Sequence, residues 1–184
     1  MKKLICVVLA LLLVCSCACA ETFSIRNGIT WASTVNDITQ AVGKEPEKDD
    51  LLACSRYFYG DVDTAGTTAV FMTYAVDEQP IVFVYGFFDA DCAALADALS
   101  EKYASADASH EILLNRINSL YALIGEADAT EEDLQACSYL GRWTASENTD
   151  IVLIGEDGNA MVFYFNVNTL ENQSTAPVYT TDGL

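Results

Sequence analysis

The sequence predicts a single α+β domain, with an antiparallel sheet of about five or six short strands and helices packed on at least one face. Three observations lead to this prediction. Short β-branched and aromatic segments follow one another with only turn residues between them, which is typical of hairpins. Amphipathic segments with helical spacing stand between an early and a late group of strands. No linker divides the chain, and its length suits one domain.

The first twenty residues have the layout of a secretory signal peptide. Two lysines precede an apolar run of eleven residues, and a small-residue A-x-A site ends at Ala20. The run is shorter than the roughly 20 residues that span a bilayer. We therefore expect cleavage after Ala20, a secreted domain over residues 21–171 and a tail over 172–184. The alternative is a lipoprotein signal with lipid attached at Cys17, which would anchor the same domain to a membrane surface.

The mature chain is strongly acidic. Without the two leader lysines it has seven basic residues against 27 acidic ones. Such a surface repels nucleic-acid phosphates and anionic lipids, so neither is an expected partner. No membrane span is expected in the mature form, and the predicted partner is an unidentified protein or envelope component.

The segment after the leader predicts a turn and then a short helix. An Asn-Gly dipeptide at positions 27 and 28 is a tight-turn signal, and Trp31 supplies a large apolar anchor. Thr34 and Asp37 form a capping box at the start of the helix. Gly43 then ends it in a left-handed conformation.

A charged loop and three strands are predicted next. The loop covers residues 44–50, and the strands cover 56–59, 67–76 and 81–88. A turn over 60–63 separates the first two strands. The strand over 81–88 is apolar on both alternating faces, so we expect it at the centre of the sheet with layers on each side.

Three helices and three further strands complete the predicted domain. The first helix is expected over 90–103, with Asp89 as its N-terminal cap, and the second over 109–124, ending at Gly125. A capping box of Thr130 and Asp133 is expected to start a short third helix, which Gly141 ends. The strands are expected over 142–144, 151–155 and 160–167, the last two joined by an Asp-Gly hairpin. From residue 172 onward the polar composition predicts a loose tail.

One segment carries a family resemblance. Residues 23–31 read F-S-I-R-N-G-I-T-W, and Thr34 and Asp37 follow at the spacing S-x-x-E. This resembles uncharacterised exported bacterial proteins with an F-x-x-R-N-G-I-x-W lead-in. More distantly it is similar to the SmpA/OmlA (BamE-like) lipoprotein domains, in which a helix precedes a small antiparallel sheet. The resemblance implies an envelope or extracellular binding role and transfers no catalytic residue.

The nearest approach to a metal motif starts at Asp61. Asp61, Asp63 and Gly66 match two acids and the glycine of a calcium loop. Ala65 and Met72 stand where the third acid and the bidentate glutamate are needed. We therefore favour an ordinary hairpin loop and predict neither a metal nor another cofactor.

Nucleophilic catalysis is not predicted. The mature chain has three cysteines, Cys54, Cys92 and Cys137, and one histidine, His110, which is expected to face solvent. We expect either that all three thiols are reduced or that two of them form a disulfide and the third stays free. No nucleophile elbow, zinc-protease motif or phosphate-binding loop occurs.

The strands are rich in aromatic residues, for which two roles are open. Core packing is the favoured role. An uncovered sheet face would instead present tyrosines to a partner protein or sugar-like ligand. The set is Tyr57, Phe58, Tyr59, Phe71, Tyr74, Phe83, Tyr85, Phe87, Phe88, Phe163, Tyr164 and Phe165.

These observations favour a secreted or surface-associated, non-enzymatic binding module of unknown ligand. Two alternatives stay open. One is a secreted hydrolase that uses paired carboxylates, since 27 acids allow many pairs. The other is an inhibitor-like binder of another secreted protein.

Overall fold

The computed structural model describes residues 23–64 and 67–174. The predicted signal peptide, with Ala20 and Cys17, lies outside the described residues. So do residues 175–184 of the predicted tail, whereas 172–174 belong to the last helix. No helix in the described ranges has the length and apolar character needed to cross a bilayer.

The chain alternates between helices and strands in the following order. A 3-10 turn (Arg26–Gly28) precedes the first helix. The helices are α1 (Val35–Val42), α2 (Cys92–Lys102), α3 (His110–Ile124), α4 (Glu131–Ala136) and α5 (Val167–Ser174). The strands are β1 (Glu47–Asp50), β2 (Ser55–Thr64), β3 (Thr67–Val76), β4 (Gln79–Phe87), β5 (Ala104–Ser105), β6 (Tyr139–Ser146), β7 (Thr149–Glu156) and β8 (Asn159–Asn166).

All these strands join one antiparallel sheet in the order β1-β2-β3-β4-β8-β7-β6-β5. The predicted count of five or six strands was wrong, because the two edge strands were missed. β1 reads Glu-Lys-Asp-Asp and is exposed throughout, so it has no apolar alternation to detect. It pairs with β2 through backbone hydrogen bonds and through side-chain bonds of Asp49 to Arg56 and of Asp50 to Ser55. Such charged edges resist further strand addition. β5 has only two residues, too few for any pattern.

The predicted turn over 60–63 is a β-bulge inside a longer strand. The β2–β3 register shifts between Phe58 and Gly60, and Gly60 has a φ of 70°. A glycine with positive φ lets the strand absorb an extra residue without turning. β2 therefore continues to Thr64.

The two halves of the sheet follow one plan. α1 precedes the consecutive strands β1 to β4, and α2 precedes β5 to β8. The halves meet where β4 pairs with β8, from Val82 opposite Phe165 to Phe87 opposite Ala160. In the first half a short turn joins the first two strands. In the second half α3 and α4 are inserted at that point.

Helices cover both faces of the sheet, so the domain has three layers. The face that we call the lead-in face packs against the 3-10 turn, α1 and α2, and the opposite face packs against α3, α4 and α5. β4 lies at the centre with buried side chains on both faces, as its sequence predicts. The lead-in face has Phe71, Phe83, Ile151 and Leu153 at its core, and the opposite face has Ile81, Val84, Leu113, Val152, Phe165 and Leu170.

Most helix boundaries follow the predicted capping residues. Thr34 and Asp37 form the capping box of α1, Thr130 and Asp133 that of α4, and Gly43 and Gly125 end α1 and α3 in the left-handed conformation. Two predictions were wrong. Asp91, not Asp89, caps α2, its carboxylate accepting two backbone N–H groups. Gly141 lies within β6, where a Cβ would come within 2.5 Å of the Trp143 ring.

Candidate functional site

A cavity of about 300 Å³ opens on the lead-in face, where the two halves of the sheet meet. Tyr85 and Phe87 of β4 with Val162 and Tyr164 of β8 contribute the sheet residues of its lining. The lead-in segment and α2 contribute the others. We call it the central pocket, and it is lined by Ile25, Arg26, Tyr85, Phe87, Leu95, Ala98, Leu99, Lys102, Tyr103, Val162 and Tyr164.

The lead-in side of the pocket is a closed loop that carries Arg26. The Ile25 N–H donates to the Ile29 carbonyl at 2.9 Å and closes the loop. Asn27, with a φ of 53°, donates its side-chain amide to the Ala41 carbonyl of α1 at 2.8 Å. These bonds tie the loop to itself and to α1, and so fix the backbone on both sides of Arg26.

Trp31 anchors this loop to the sheet, the role predicted for it. Its ring stacks on Phe83 at a centroid distance of 4.5 Å and on Phe23 at 5.3 Å. The indole N–H donates to Thr149 Oγ1 at 2.8 Å. A buried tryptophan needs such a polar partner, so this single side chain joins the loop to β4 and β7.

The opposite side of the pocket belongs to α2. Leu99 is buried against the sheet, and the half-buried Leu95 lies one turn before it. Lys102 ends the helix, with its Nζ 5.0 Å from the ring centroid of Tyr103. The pocket is therefore apolar on its α2 side, with a cation and a phenol at the end of that helix.

Two polar groups in the pocket are buried without a partner. Arg26 Nε and Nη1 and the Tyr85 hydroxyl are shielded from solvent, and no hydrogen bond from another described residue reaches them. Tyr85 is only 5% exposed. Burial raises the pKa of both Tyr85 and Tyr164, so both hydroxyls stay protonated at neutral pH. The pocket thus holds donors whose hydrogen bonds are unused.

The charge of the pocket is opposite to that of the chain. The whole sequence has 27 acidic and nine basic residues. Among the described residues that line the pocket, two are basic, Arg26 and Lys102, and none is acidic. This separation makes the pocket a local positive site within a strongly negative molecule.

The acids of the segment that partly matches a calcium loop do not form a comparable site. Asp61 and Asp63 lie two residues apart on β2 with exposed side chains, and Lys44 donates to the Asp61 carbonyl. Within residues 23–64 and 67–174, no three His, Cys, Asp or Glu side chains converge as metal ligands would.

The thiols and the histidine lie apart from the central pocket. Cys54, Cys92 and Cys137 are all unbridged. Cys54 is buried, and burial raises its pKa to about 11, so it is a thiol and not a nucleophilic thiolate near neutral pH. His110 begins α3, with its Nδ1 3.5 Å from a Glu131 carboxylate oxygen.

A second polar cluster, on the opposite face, was not predicted. The Asp150 carboxylate accepts hydrogen bonds from Arg116 at 2.8 Å and from Arg142 at 2.8 and 2.9 Å. Arg116 also donates to Glu171 at 2.7 Å. The cluster joins α3 and α5 to the sheet and so has a structural role, and within it Arg142 Nε is buried without a partner among the described residues.

Sequence reasoning placed Tyr85 and Tyr164 among the packing aromatics and gave Arg26 no role beyond its motif. Most of the aromatic set is buried, although Phe88, just past β4, is 69% exposed. One available signal was the scarcity of basic residues, nine in the whole chain. An arginine directly after an apolar isoleucine in so acidic a chain is a candidate for a specific charge role.

Comparisons of the chain with protein-family models, curated proteins and solved structures find no match. The similarity of the lead-in to exported bacterial proteins and to SmpA/OmlA (BamE-like) domains therefore stays a prediction.

Proposed function

We propose that the chain is a secreted or surface-associated, non-enzymatic binding module whose ligand occupies the central pocket. One observation carries the proposal. The guanidinium nitrogens Nε and Nη1 of Arg26 and the hydroxyl of Tyr85 are buried without partners among the described residues, beside about 300 Å³ of space. Buried polar groups in folded proteins are nearly always hydrogen-bonded, so unused donors at a cavity favour a ligand that accepts from them.

The chemistry of the pocket favours binding over turnover. Its lining, as far as the structure describes the chain, contains no carboxylate, imidazole or thiol. The raised pKa values of Tyr85 and Tyr164, caused by burial, make these phenols donors rather than bases. The pocket can hold and orient an acceptor, but these groups do not remove a proton from it.

One pair of acids that could serve the hydrolase alternative lies elsewhere on the surface. Glu45 and Glu78 line a smaller pocket of about 290 Å³ beside Lys48. Both side chains are exposed. A glycosidase acid needs a raised pKa, which enzymes usually obtain by burial, so this pair favours a hydrolase less than the central pocket favours binding. An inhibitor-like binder would use the central pocket for a side chain or terminus of its target.

Filling the pocket tests the proposal. Ala98 lines the pocket on α2, and Ala94 lies on the same helix outside the lining, so Ala98→Trp and Ala94→Trp form a matched pair. Saturation-transfer NMR of the secreted chain is recorded with a fixed panel of small acids, amines, amides and sugars. We expect at least one class to bind the wild type and Ala94→Trp but not Ala98→Trp, and to remain chemically unchanged.

Two results would contradict the proposal. If Ala98→Trp removes no binding signal from the panel, the pocket is not the binding site. If a panel compound is consumed by the wild type at a rate that Glu45→Gln or Glu78→Gln lowers, the hydrolase alternative replaces the binding module.

A further inference from the structure

We infer that the central pocket binds a monocarboxylate with an apolar body, and that Arg26 and Tyr85 hold its carboxylate. The inference rests on the proposed function and names its ligand class. Four features of the pocket lead to it: the unpartnered guanidinium, the neutral phenol donor, the exclusion of acids and the apolar walls.

The first feature is the guanidinium of Arg26. Its Nε and Nη1 are both buried and both lack a partner among the described residues. Each of these nitrogens forms a planar fork with Nη2, and the two N–H groups of either fork match the two oxygens of a carboxylate, which accepts from them in parallel. A neutral carbonyl would satisfy one of these donors and would leave the positive charge unbalanced.

The second feature is the hydroxyl of Tyr85. It is buried, has no partner among the described residues, and lies in the same lining as Arg26. Because burial raises its pKa, it is a neutral donor at neutral pH and does not repel an anion. A carboxylate oxygen that already accepts from a guanidinium has a further lone pair for such a donor.

The third feature is charge. The lining includes Lys102 as a second cation, and none of its described residues is an acid. The chain as a whole has a formal charge of −18, which opposes the approach of polyanions. A ligand with a single negative charge gains the local attraction at the pocket and is repelled least by the rest of the surface.

The fourth feature is the apolar surface around these donors. Phe87, Leu95, Leu99 and Val162 line the pocket together with its tyrosines. Free inorganic anions gain nothing from such walls, whereas a hydrocarbon or aromatic body is transferred favourably from water. The cavity volume of about 300 Å³ suits a small organic acid or one terminal residue of a peptide.

The test compares matched probes by isothermal titration calorimetry of the secreted chain. The probes are 3-phenylpropionate, its neutral amide 3-phenylpropanamide, and inorganic phosphate. We expect the acid to bind at least about tenfold more tightly than the amide, as a charge-assisted bond requires, and phosphate not to bind at the same concentration.

Variants assign the effect to the two donors. Arg26→Gln is expected to lower the affinity for the acid at least about tenfold and to leave the amide unchanged, while Arg26→Lys keeps part of the preference. Arg56→Gln is the control, since Arg56 is a half-exposed arginine on β2 that pairs with Asp49. Tyr85→Phe removes only the hydroxyl oxygen and is expected to lower the affinity for the acid but not that for the amide. It keeps the test decisive if Arg26→Gln does not fold.

Several results would overturn the inference. They are equal binding of acid and amide, tighter binding of phosphate, no binding of any probe, or an acid preference that survives both Arg26→Gln and Tyr85→Phe. Binding of another panel class that Ala98→Trp removes would leave the proposed function standing while this inference fails.

Two sources of the carboxylate are separated by one further probe. A tripeptide that ends in phenylalanine with a free carboxylate is compared with the same peptide as its C-terminal amide. If the tripeptide acid binds more tightly than 3-phenylpropionate, the ligand is a polypeptide C-terminus. If it binds more weakly, the ligand is a free small acid. Both results support the carboxylate.

Discussion

Replacing Asp150 with Asn is expected to lower the free energy of unfolding of the domain much more than replacing the exposed Asp49 with Asn. Asp150 is 4% exposed, and it accepts three hydrogen bonds from the guanidinium groups of Arg116 and Arg142. Asparagine keeps the shape but removes the negative charge. Its amide N–H groups then face positive donors where a carboxylate accepted.

The magnitude follows from the burial of the two arginines. Their side chains are only 16% and 14% exposed, so Asp150→Asn leaves two cations poorly solvated. Breaking a buried pair in this way costs about 3–5 kcal/mol. Because Arg116 keeps its bond to Glu171, we expect the lower end, about 3 kcal/mol. For a domain of this length that corresponds to a fall in Tm of about 6–12 °C.

The assay is urea unfolding followed by circular dichroism, with Asp49→Asn as matched control. Asp49 makes the same kind of bond, to Arg56, but the two side chains are 51% and 42% exposed. An exposed pair contributes under about 1 kcal/mol, so the control is expected to stay close to wild type. A triple variant, Arg116→Met with Asp150→Leu and Arg142→Met, is expected to regain most of the stability that Asp150→Asn loses, because it leaves no buried charge without a partner.

Equal losses for Asp150→Asn and Asp49→Asn would refute the reasoning, since burial would then not decide the strength of the pair. A triple variant less stable than Asp150→Asn would show that the bonds themselves, and not the stranded charges, account for the loss.

Three further outcomes are expected. The pKa of Asp37 is lowered from its usual 3.8, because the carboxylate accepts hydrogen bonds from the backbone N–H and, second in size, from the hydroxyl of Thr34. The ionised carboxylate therefore stabilises the domain above that value, and this stabilisation is lost as the pH falls through the lowered pKa. The difference in urea midpoint between wild type and Asp37→Asn should accordingly shrink between pH 6 and pH 3. Iodoacetamide at pH 8 should alkylate the half-buried Cys137 before Cys54, whose pKa is raised to about 11 by burial; mass spectrometry showing the reverse order would contradict this. Gly155→Ala should cost about 1–3 kcal/mol, because its Cβ would come within 2.5 Å of Cys92 Sγ, and adding Cys92→Ala should restore part of the loss in thermal melts.

Local chemistry explains why some elements could be predicted. The capping boxes at Thr34 and Thr130 and the left-handed stop at Gly43 act within one helical turn, so their sequence spacing is also their structural spacing. The central strand β4 was predicted because both of its faces are apolar. These predictions need only neighbours along the chain.

The failed predictions concern residues whose role depends on distant neighbours. Gly60 serves a bulge and not a turn because β3 continues opposite it. Gly141 lies within a strand because it pairs with Leu153 of β7. The edge strand β1 is charged throughout and is a strand only because β2 supplies its hydrogen bonds. In each case the deciding contact is not encoded in the local pattern.

The sequence by itself determined an acidic α+β domain with defined helix ends, because charge, composition and capping are local properties. Only the tertiary structure decided where the candidate site lies. Arg26 and Tyr85 are 59 positions apart in sequence, and Tyr164 is 79 positions beyond Tyr85. They share a pocket because the two halves of the sheet meet at β4 and β8, and because a closed loop holds Arg26 over that junction. Pairing between strands brings residues together without regard to their separation along the chain.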